Sequence, residues 1–395
     1  SFPAHMKASH RISNITGGGS DGWDLFYRAR RMMDAGHSVT ELTIGEHDIR
    51  TDPSILAAMN KAAVGGHTGY AEVPGTAALR QEVAARIQSR TGVPTGPENI
   101  MITPGGQAGL LAAHHATCDE GATALFIDPY YATYPGTIRA VGAKPVAIKA
   151  SPENDFQPQA AAIAEHAKGA TSLLINTPNN PTGVIYSEAT LSAIADVCIE
   201  NDLWLISDEV YDTQIWEGSH LSPRALPNMA ERTLVVGSMS KSHAMTGSRV
   251  GWVCGPADMI SHLLNLATHT TYGVPGYIQD AAVFALQEGP ELEEKVGAPF
   301  RRRRGLTLEA LAGQNTVRAV PVQGAMYAML DVRATGLSGE DFAGKLLDAE
   351  GIAVMPGESF GKAAAGHIRV AMTVDDDAYT DAITRVVAFA KTLAA

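Results

Sequence analysis

The chain is predicted to adopt an α/β fold: a large domain around a mostly parallel seven-stranded sheet sandwiched by helices, and a smaller α+β domain built from both termini. Three observations predict it. Between Ile100 and Gly255, short apolar runs alternate with helical segments, as buried parallel strands joined by crossover helices do. The composition is 45% hydrophobic but only 6% aromatic, with 39 glycines, which favours helices packed closely on a sheet over a β-sandwich. A length of 395 residues exceeds what one growing core sustains, so two domains are expected.

The elements follow in order. Ser1 to His5 ahead of Met6 read as a cloning scar, and residues 6–45 as an N-terminal arm and part of the small domain. Within that arm Trp23–Gly36 reads as a helix and Val39–Gly45 as a short strand. Residues 46–280 form the large domain. Its first helices are Pro53–Val64, stopped by Gly65-Gly66, and Ala77–Thr91. Seven strands then read as Ile100–Thr103, Thr123–Ile127, Pro145–Ile148, Ser172–Ile175, Leu203–Ile206, Thr233–Val236 and Arg249–Val253. Helices such as Gln107–Ala116, Gln157–His166 and Glu188–Asn201 lie between them. After about Ala281 the texture changes, and residues 281–395 form the small C-terminal domain. It opens with a long charged helix, Leu286–Leu311, followed by strands at Gly324–Asp331, Ile352–Gly357 and His367–Met372.

A net charge of −12 argues against general attraction to nucleic acid or an anionic membrane. The run Arg301-Arg302-Arg303-Arg304 shares a helix with Glu291, Glu293 and Glu294 and reads as a solvated, ion-paired face. Three scattered cysteines fit a reducing compartment, and His114-His115-x-x-Cys118 lacks the further ligands a metal site needs. No apolar stretch approaches the roughly 18 residues of a membrane span, and no secretory signal is visible, so a cytoplasmic location is expected.

The chemistry lies at the strand ends. Gly105-Gly106-Gln107 follows the first strand of the large sheet, Asp128-Pro129-Tyr130 the second, and Asn176 to Gly183 the fourth. Asp208-Glu209-Val210-Tyr211 follows the fifth and Ser238-x-Ser240-Lys241 the sixth. Ligands of open α/β sheets gather at that end. An amine able to form a Schiff base, a carboxylate, a phenol, a carboxamide and a guanidinium at these spacings suit pyridoxal phosphate.

These motifs, Asn179-Asn180-Pro181-Thr182-Gly183, Asp208-Glu209-Val210-Tyr211 and Ser238-x-Ser240-Lys241 leading to Gly247-x-Arg249, resemble those of class I/II pyridoxal-phosphate-dependent aminotransferases, from about Leu42 to Arg369. The resemblance implies a ping-pong transfer of an amino group from an L-amino acid to a 2-oxo acid. Lys241 would hold the cofactor as an internal aldimine and later shuttle the proton at Cα. Asp208 would keep the pyridinium nitrogen protonated, and Tyr211 and Asn180 would bond the phenolic oxygen. Gly106, Gln107, Ser238 and Arg249 would cradle the phosphate at a helix N-terminus. Tyr131 would stack on the ring, with Tyr130 the competing assignment. Tyr70 resembles the tyrosine supplied by the neighbouring subunit of a homodimer. Arg369, with Gly45 and Asn180, would take the substrate carboxylate, and Thr268–Val274 is where the side-chain pocket is expected. No metal is implied.

Three departures stand out. Gly45-Glu46-His47-Asp48-Ile49 replaces the more usual Gly-Glu-Pro-Asp-Phe, His243 stands where an aromatic is common, and Ser248 precedes Arg249 where tryptophan is frequent. The two loops they occupy are expected to set the substrate. The same cradle serves C–S lyases and other lyases, which remain the alternative. A cofactor-binding transcription regulator fits less well, since it needs an N-terminal basic domain for which there is no room.

Overall fold

The computed structural model describes residues 1–19 and 22–394. From the N-terminus run α1 (His10–Ser13), α2 (Asp24–Asp34), β1 (Thr40–Leu42), α3 (Pro53–Val64) and α4 (Ala77–Thr91). Local signals set these limits. Thr76 caps α4 by accepting from the Leu79 N–H, and Gly92 ends it at φ 72°. Next come β2 (Ile100–Thr103), α5 (Gly106–Thr117), β3 (Thr123–Asp128), α6 (Tyr134–Ala140), β4 (Lys144–Lys149), α7 (Ala160–Ala167) and β5 (Ala170–Asn176). They continue through α8 (Glu188–Glu200), β6 (Trp204–Asp208), β7 (Thr233–Ser238), the one-turn α9 (Met239–Ser242) and β8 (Gly251–Cys254). The remainder comprises α10 (Ala257–Thr268), α11 (Gly276–Gln287), α12 (Pro290–Leu311), β9 (Arg318–Ala319), β10 (Tyr327–Asp331), α13 (Gly339–Glu350), β11 (Ile352–Pro356), β12 (His367–Ala371) and α14 (Asp376–Ala394).

The large sheet has seven strands in the order β2-β8-β7-β6-β5-β3-β4, and only β8 runs against the rest. Strands β2, β3, β6 and β7 are buried almost throughout, which is why they read as unbroken apolar runs. A second sheet of five strands, β1-β11-β12-β10-β9, joins the N-terminal strand to the C-terminal third; β1 lies parallel to β11 and the other pairs are antiparallel. Its core includes Leu42, Phe342, Val354, Ile368 and Tyr379.

The structure corrects several sequence expectations. The helix expected over Leu286–Leu311 is two helices: Gly289 takes φ 74°, closed to most side chains, and Pro290, lacking an N–H, begins α12. Arg249 is not in a strand; its φ of 54° turns the chain before β8. The arginine run is ion-paired, but only Arg301 and Arg302 form the solvated face expected. The Arg303 side chain is only 3% exposed and forks onto Asp48, with a third contact to Asp376, while Arg304 reaches Glu217 and Arg301 covers the Trp216 ring. The partners come from other elements, and Glu293 of the same helix pairs with Arg86. His114 is buried with Nδ1 on the Leu110 carbonyl, and Cys118 sits among the hydroxyls of Thr117, Thr171 and Ser172.

Candidate active site

A cleft of about 330 Å³ lies at the carboxyl ends of the large sheet's strands, where β10, β12 and the loop after β1 close over them. Eleven of the twelve residues singled out from the sequence line it: Gly45, Gly106, Gln107, Tyr131, Asn180, Asp208, Tyr211, Ser238, Lys241, Arg249 and Arg369. The twelfth, Tyr70, lies outside, 91% exposed and edge-on to Tyr272 at 5.2 Å. A second cavity of similar volume contains none of them; its Arg86, Arg90, Asp212 and Glu293 already pair with one another.

Lys241, on the one-turn α9 after β7, extends its amine to the Gly45 carbonyl, with Nζ 6.0 Å from the Tyr211 ring centre. Asp208 ends β6, 4% exposed. Its Oδ2 accepts from the Tyr134 hydroxyl at 2.5 Å and its Oδ1 from the Val210 N–H at 3.3 Å. Burial pushes this carboxyl up to about 6 in spite of those two donors, with the Glu209 charge adding to the rise. A protonated ring nitrogen is the kind of partner that would restore its ionised form.

Around the phenol of Tyr211 the groups form a chain. Asn180 donates to it at 3.4 Å, the Tyr327 hydroxyl lies 2.8 Å away, and Asn180 Oδ1 accepts from Arg369 at 2.9 Å. Burial lifts the Tyr211 phenol well above its usual range. Arg369 is 1% exposed, sandwiched between the Tyr327 and Phe360 rings at 4.4 Å each, with a second nitrogen on the Thr43 carbonyl. Its buried Nε has no partner, and burial lowers its pKa, a cost to the cation that an anion beside it would offset.

At the opposite end of the cleft lie the residues expected around a phosphate. Gly105, at φ 91°, turns β2 into α5, and a Cβ there would fall 2.2 Å from Arg249 Nη2. Gly106 opens the helix beside Ser238, whose hydroxyl also caps α9 by accepting from Ser240. A helix N-terminus, a hydroxyl and a guanidinium therefore converge where a dianion would sit. With a carboxylate at the other end of the cleft and an amine between, the residues fit pyridoxal phosphate.

Of the two candidate aromatics Tyr131 faces the cleft; Tyr130 packs edge-on against Phe126 at 5.0 Å and lines an outer groove. Neither His243 nor Ser248 lines the cleft. His243 is fully buried, bonded to the Ser242 hydroxyl at 2.7 Å and 3.9 Å from Glu293, since α9 turns it away from Lys241's face. The segment Thr268–Val274 also lies outside the cleft of its own chain. Sequence reasoning missed Tyr134, Tyr327, Asn176, Gln214 and the contact of His47. Tyr134 lies only three residues beyond Tyr131 but acts through Asp208, far along the chain, and Tyr327 lay hidden in an apolar strand.

The chain matches the family described as aminotransferase class I and II over residues 37–386. It is 40% identical over 383 residues to an arginine–pyruvate transaminase of Pseudomonas aeruginosa, covering 96% of this chain and 97% of that protein. To an aspartate/prephenate aminotransferase of Thermus thermophilus it is 33% identical, with 91% of this chain and 92% of the other covered. The solved structure of a Thermus thermophilus aspartate aminotransferase with maleate superposes with a TM-score of 0.89 at 31% identity, over 96% of this chain and all of that one. These relatives are transaminases, and none supports the lyase alternative. Fold, cleft chemistry and full-length similarity agree that this chain belongs to the class I and II aminotransferases and is a pyridoxal-phosphate-dependent transaminase.

Proposed function

We propose that the enzyme moves the α-amino group of a cationic amino acid, with arginine the first candidate, to pyruvate. The observation that carries the donor side is the charge inventory of the cleft. Its cations are Lys241, Arg249 and Arg369, and its carboxylates Glu46 and Asp208. With Asp208 committed to the ring, Arg249 to the phosphate and Arg369 to the substrate carboxylate, no third guanidinium among the described residues lines the cleft for a side-chain carboxylate. Glu46, held by the Thr246 hydroxyl at 2.6 Å, remains for a cation. The arginine–pyruvate transaminase relative supports the same reading and supplies the acceptor.

In this reading bound pyridoxal phosphate supplies the carbon that takes the amine and the ring that accepts the electron pair released at Cα. Lys241 attaches the cofactor and, once free, carries the proton from Cα. Asp208 keeps the ring nitrogen protonated, and Tyr211 with Asn180 holds the phenolic oxygen. Tyr131 limits the ring's tilt. Gly106, Gln107, Ser238 and Arg249 anchor the phosphate, and Arg369 with Asn180 and Gly45 orients the substrate carboxylate. A homodimer is part of the proposal: the exposed Tyr70–Tyr272 pair and the neighbouring Thr268–Val274 segment would complete the partner's cleft. The location proposed is cytoplasmic.

A donor panel tests this. Arginine and lysine against pyruvate are expected to exceed aspartate by at least about tenfold in kcat/KM, and Glu46→Gln to erase most of that margin. Preference for aspartate with 2-oxoglutarate would sink the donor assignment.

A further inference from the structure

Helix α9 is a single turn, and a helix end leaves carbonyls without intrahelical donors. The next backbone N–H groups are engaged elsewhere: His243 on the Met239 carbonyl and Met245 on that of Ser240, each at 3.2 Å. Ala244, at φ 52°, ends the turn in the left-handed region without being glycine. The loop that follows β1 fills the gap. His47 Nε2 lies 3.0 Å from the Lys241 carbonyl oxygen, Gln214 Nε2 donates to the same oxygen at 3.1 Å, and Thr51 donates to the Ala244 carbonyl at 2.5 Å. One loop thus runs alongside the lysine turn from Lys241 to Thr246, where Glu46 accepts the threonine hydroxyl.

We propose that loop 45–51 is a side-chain cap for the helix that carries Lys241, with His47 the positioning residue that donates Nε2–H to the lysine's own carbonyl and keeps its side chain aimed into the cleft. The inference rests on reading Lys241 as the cofactor-bearing amine.

His47 is placed firmly enough for this. It is 8% exposed, edge-on to Phe300 at 5.7 Å, and the adjacent Asp48 is gripped through both oxygens by Arg303 at 2.8 and 2.7 Å. Burial, then the nearby Lys241 charge, lowers the ring to about 4, so at neutral pH it carries one proton. Nδ1 has no partner and Nε2 faces an acceptor, so the proton belongs on Nε2. Proline, more usual at this position, has no donor to offer, so the device belongs to the residues of this chain.

The test uses the holoenzyme. In His47→Phe, which keeps the ring and loses the donor, kcat is expected to fall about tenfold, as loss of one aligning hydrogen bond does, with KM within about twofold. The pH midpoint of the cofactor's absorbance band in the unliganded enzyme shifts by roughly half a unit or more, which a merely structural role would not cause. His47→Gln, whose amide reaches the same carbonyl, recovers at least about half of the wild-type kcat and the midpoint. Wild-type kcat and midpoint in His47→Phe would overturn the proposal. Should that variant not fold, 15N spectra of histidine-labelled wild type decide: an Nε2–H ring supports the cap and an Nδ1–H ring refutes it. A borohydride-reducible band persisting in Lys241→Ala would instead refute the role of the lysine, independently of His47.

Discussion

At the scale of single residues, Asp208 carries opposed demands. Its carboxyl is buried and raised to about 6, so in the cofactor-free protein the sign runs against neutrality. Its contribution to stability is present below the unfolded carboxylate pKa and is lost as pH rises through about 6. Asp208→Asn is therefore expected to melt higher than wild type when both are cofactor-free at pH 8, with the gap narrowing to about half at pH 5. The same substitution should lower kcat by roughly 100-fold or more in the loaded enzyme, because nothing then holds the ring nitrogen protonated. Calorimetry at the two pH values and steady-state kinetics check both halves. Asp208 was legible in the sequence because it ends an apolar run, and any group there points at the ligand end of the sheet. Tyr134, Tyr327 and His47 were not, because each acts through a partner 74, 116 or 194 positions away, a distance no local pattern encodes.

At the scale of elements, α12 shows how charge was misjudged. A row of arginines beside glutamates suggests a wet helix face, yet Arg303 points inward and ties α12 to Asp48, Asp376 and the Met372 carbonyl. Arg303→Met is expected to cost about 3 kcal/mol in urea unfolding, since it strands a partly buried carboxylate and a carbonyl. Asp376→Asn, whose side chain is 35% exposed, should cost under about 1 kcal/mol. Equal losses would contradict this placement of the ion pairs. The large sheet was readable because strands buried on both faces become continuous apolar runs bounded by glycine and proline. The break between α11 and α12 was not, since the charge pattern continues across Gly289 while the backbone does not.

At the scale of the whole molecule, protonation is shared among separate cores. Burial holds His47 and His114 to about 4 and His243 to about 3, so each stabilises fully above the unfolded value of 6.5 and less as pH falls toward the folded one. Asp128 and Asp208, both raised to about 6 by burial, work the other way between 3.8 and 6. Unfolding near pH 5 thus takes up protons at these histidines, with His115 and His367 lowered by burial in the same direction, and releases them at the two carboxyls, so stability falls on acidification. In the cofactor-free Asp128→Asn/Asp208→Asn double variant that fall should steepen by up to about 3 kcal/mol per unit, and urea titrations between pH 6 and 4.5 would show it. An unchanged slope would mean that the two carboxyls are not protonated in the folded state.

The pairing of β1 with β11 also imposes a schedule on synthesis. Thr40 leaves the ribosome early, but its neighbour in the sheet is Ile352, and the intervening chain contains every strand of the larger sheet. At roughly 5–20 residues per second the first strand waits some tens of seconds for its partner. During that interval the nascent chain can assemble the seven-stranded layer while its leading segment stays unpaired, a stretch on which a chaperone has reason to act.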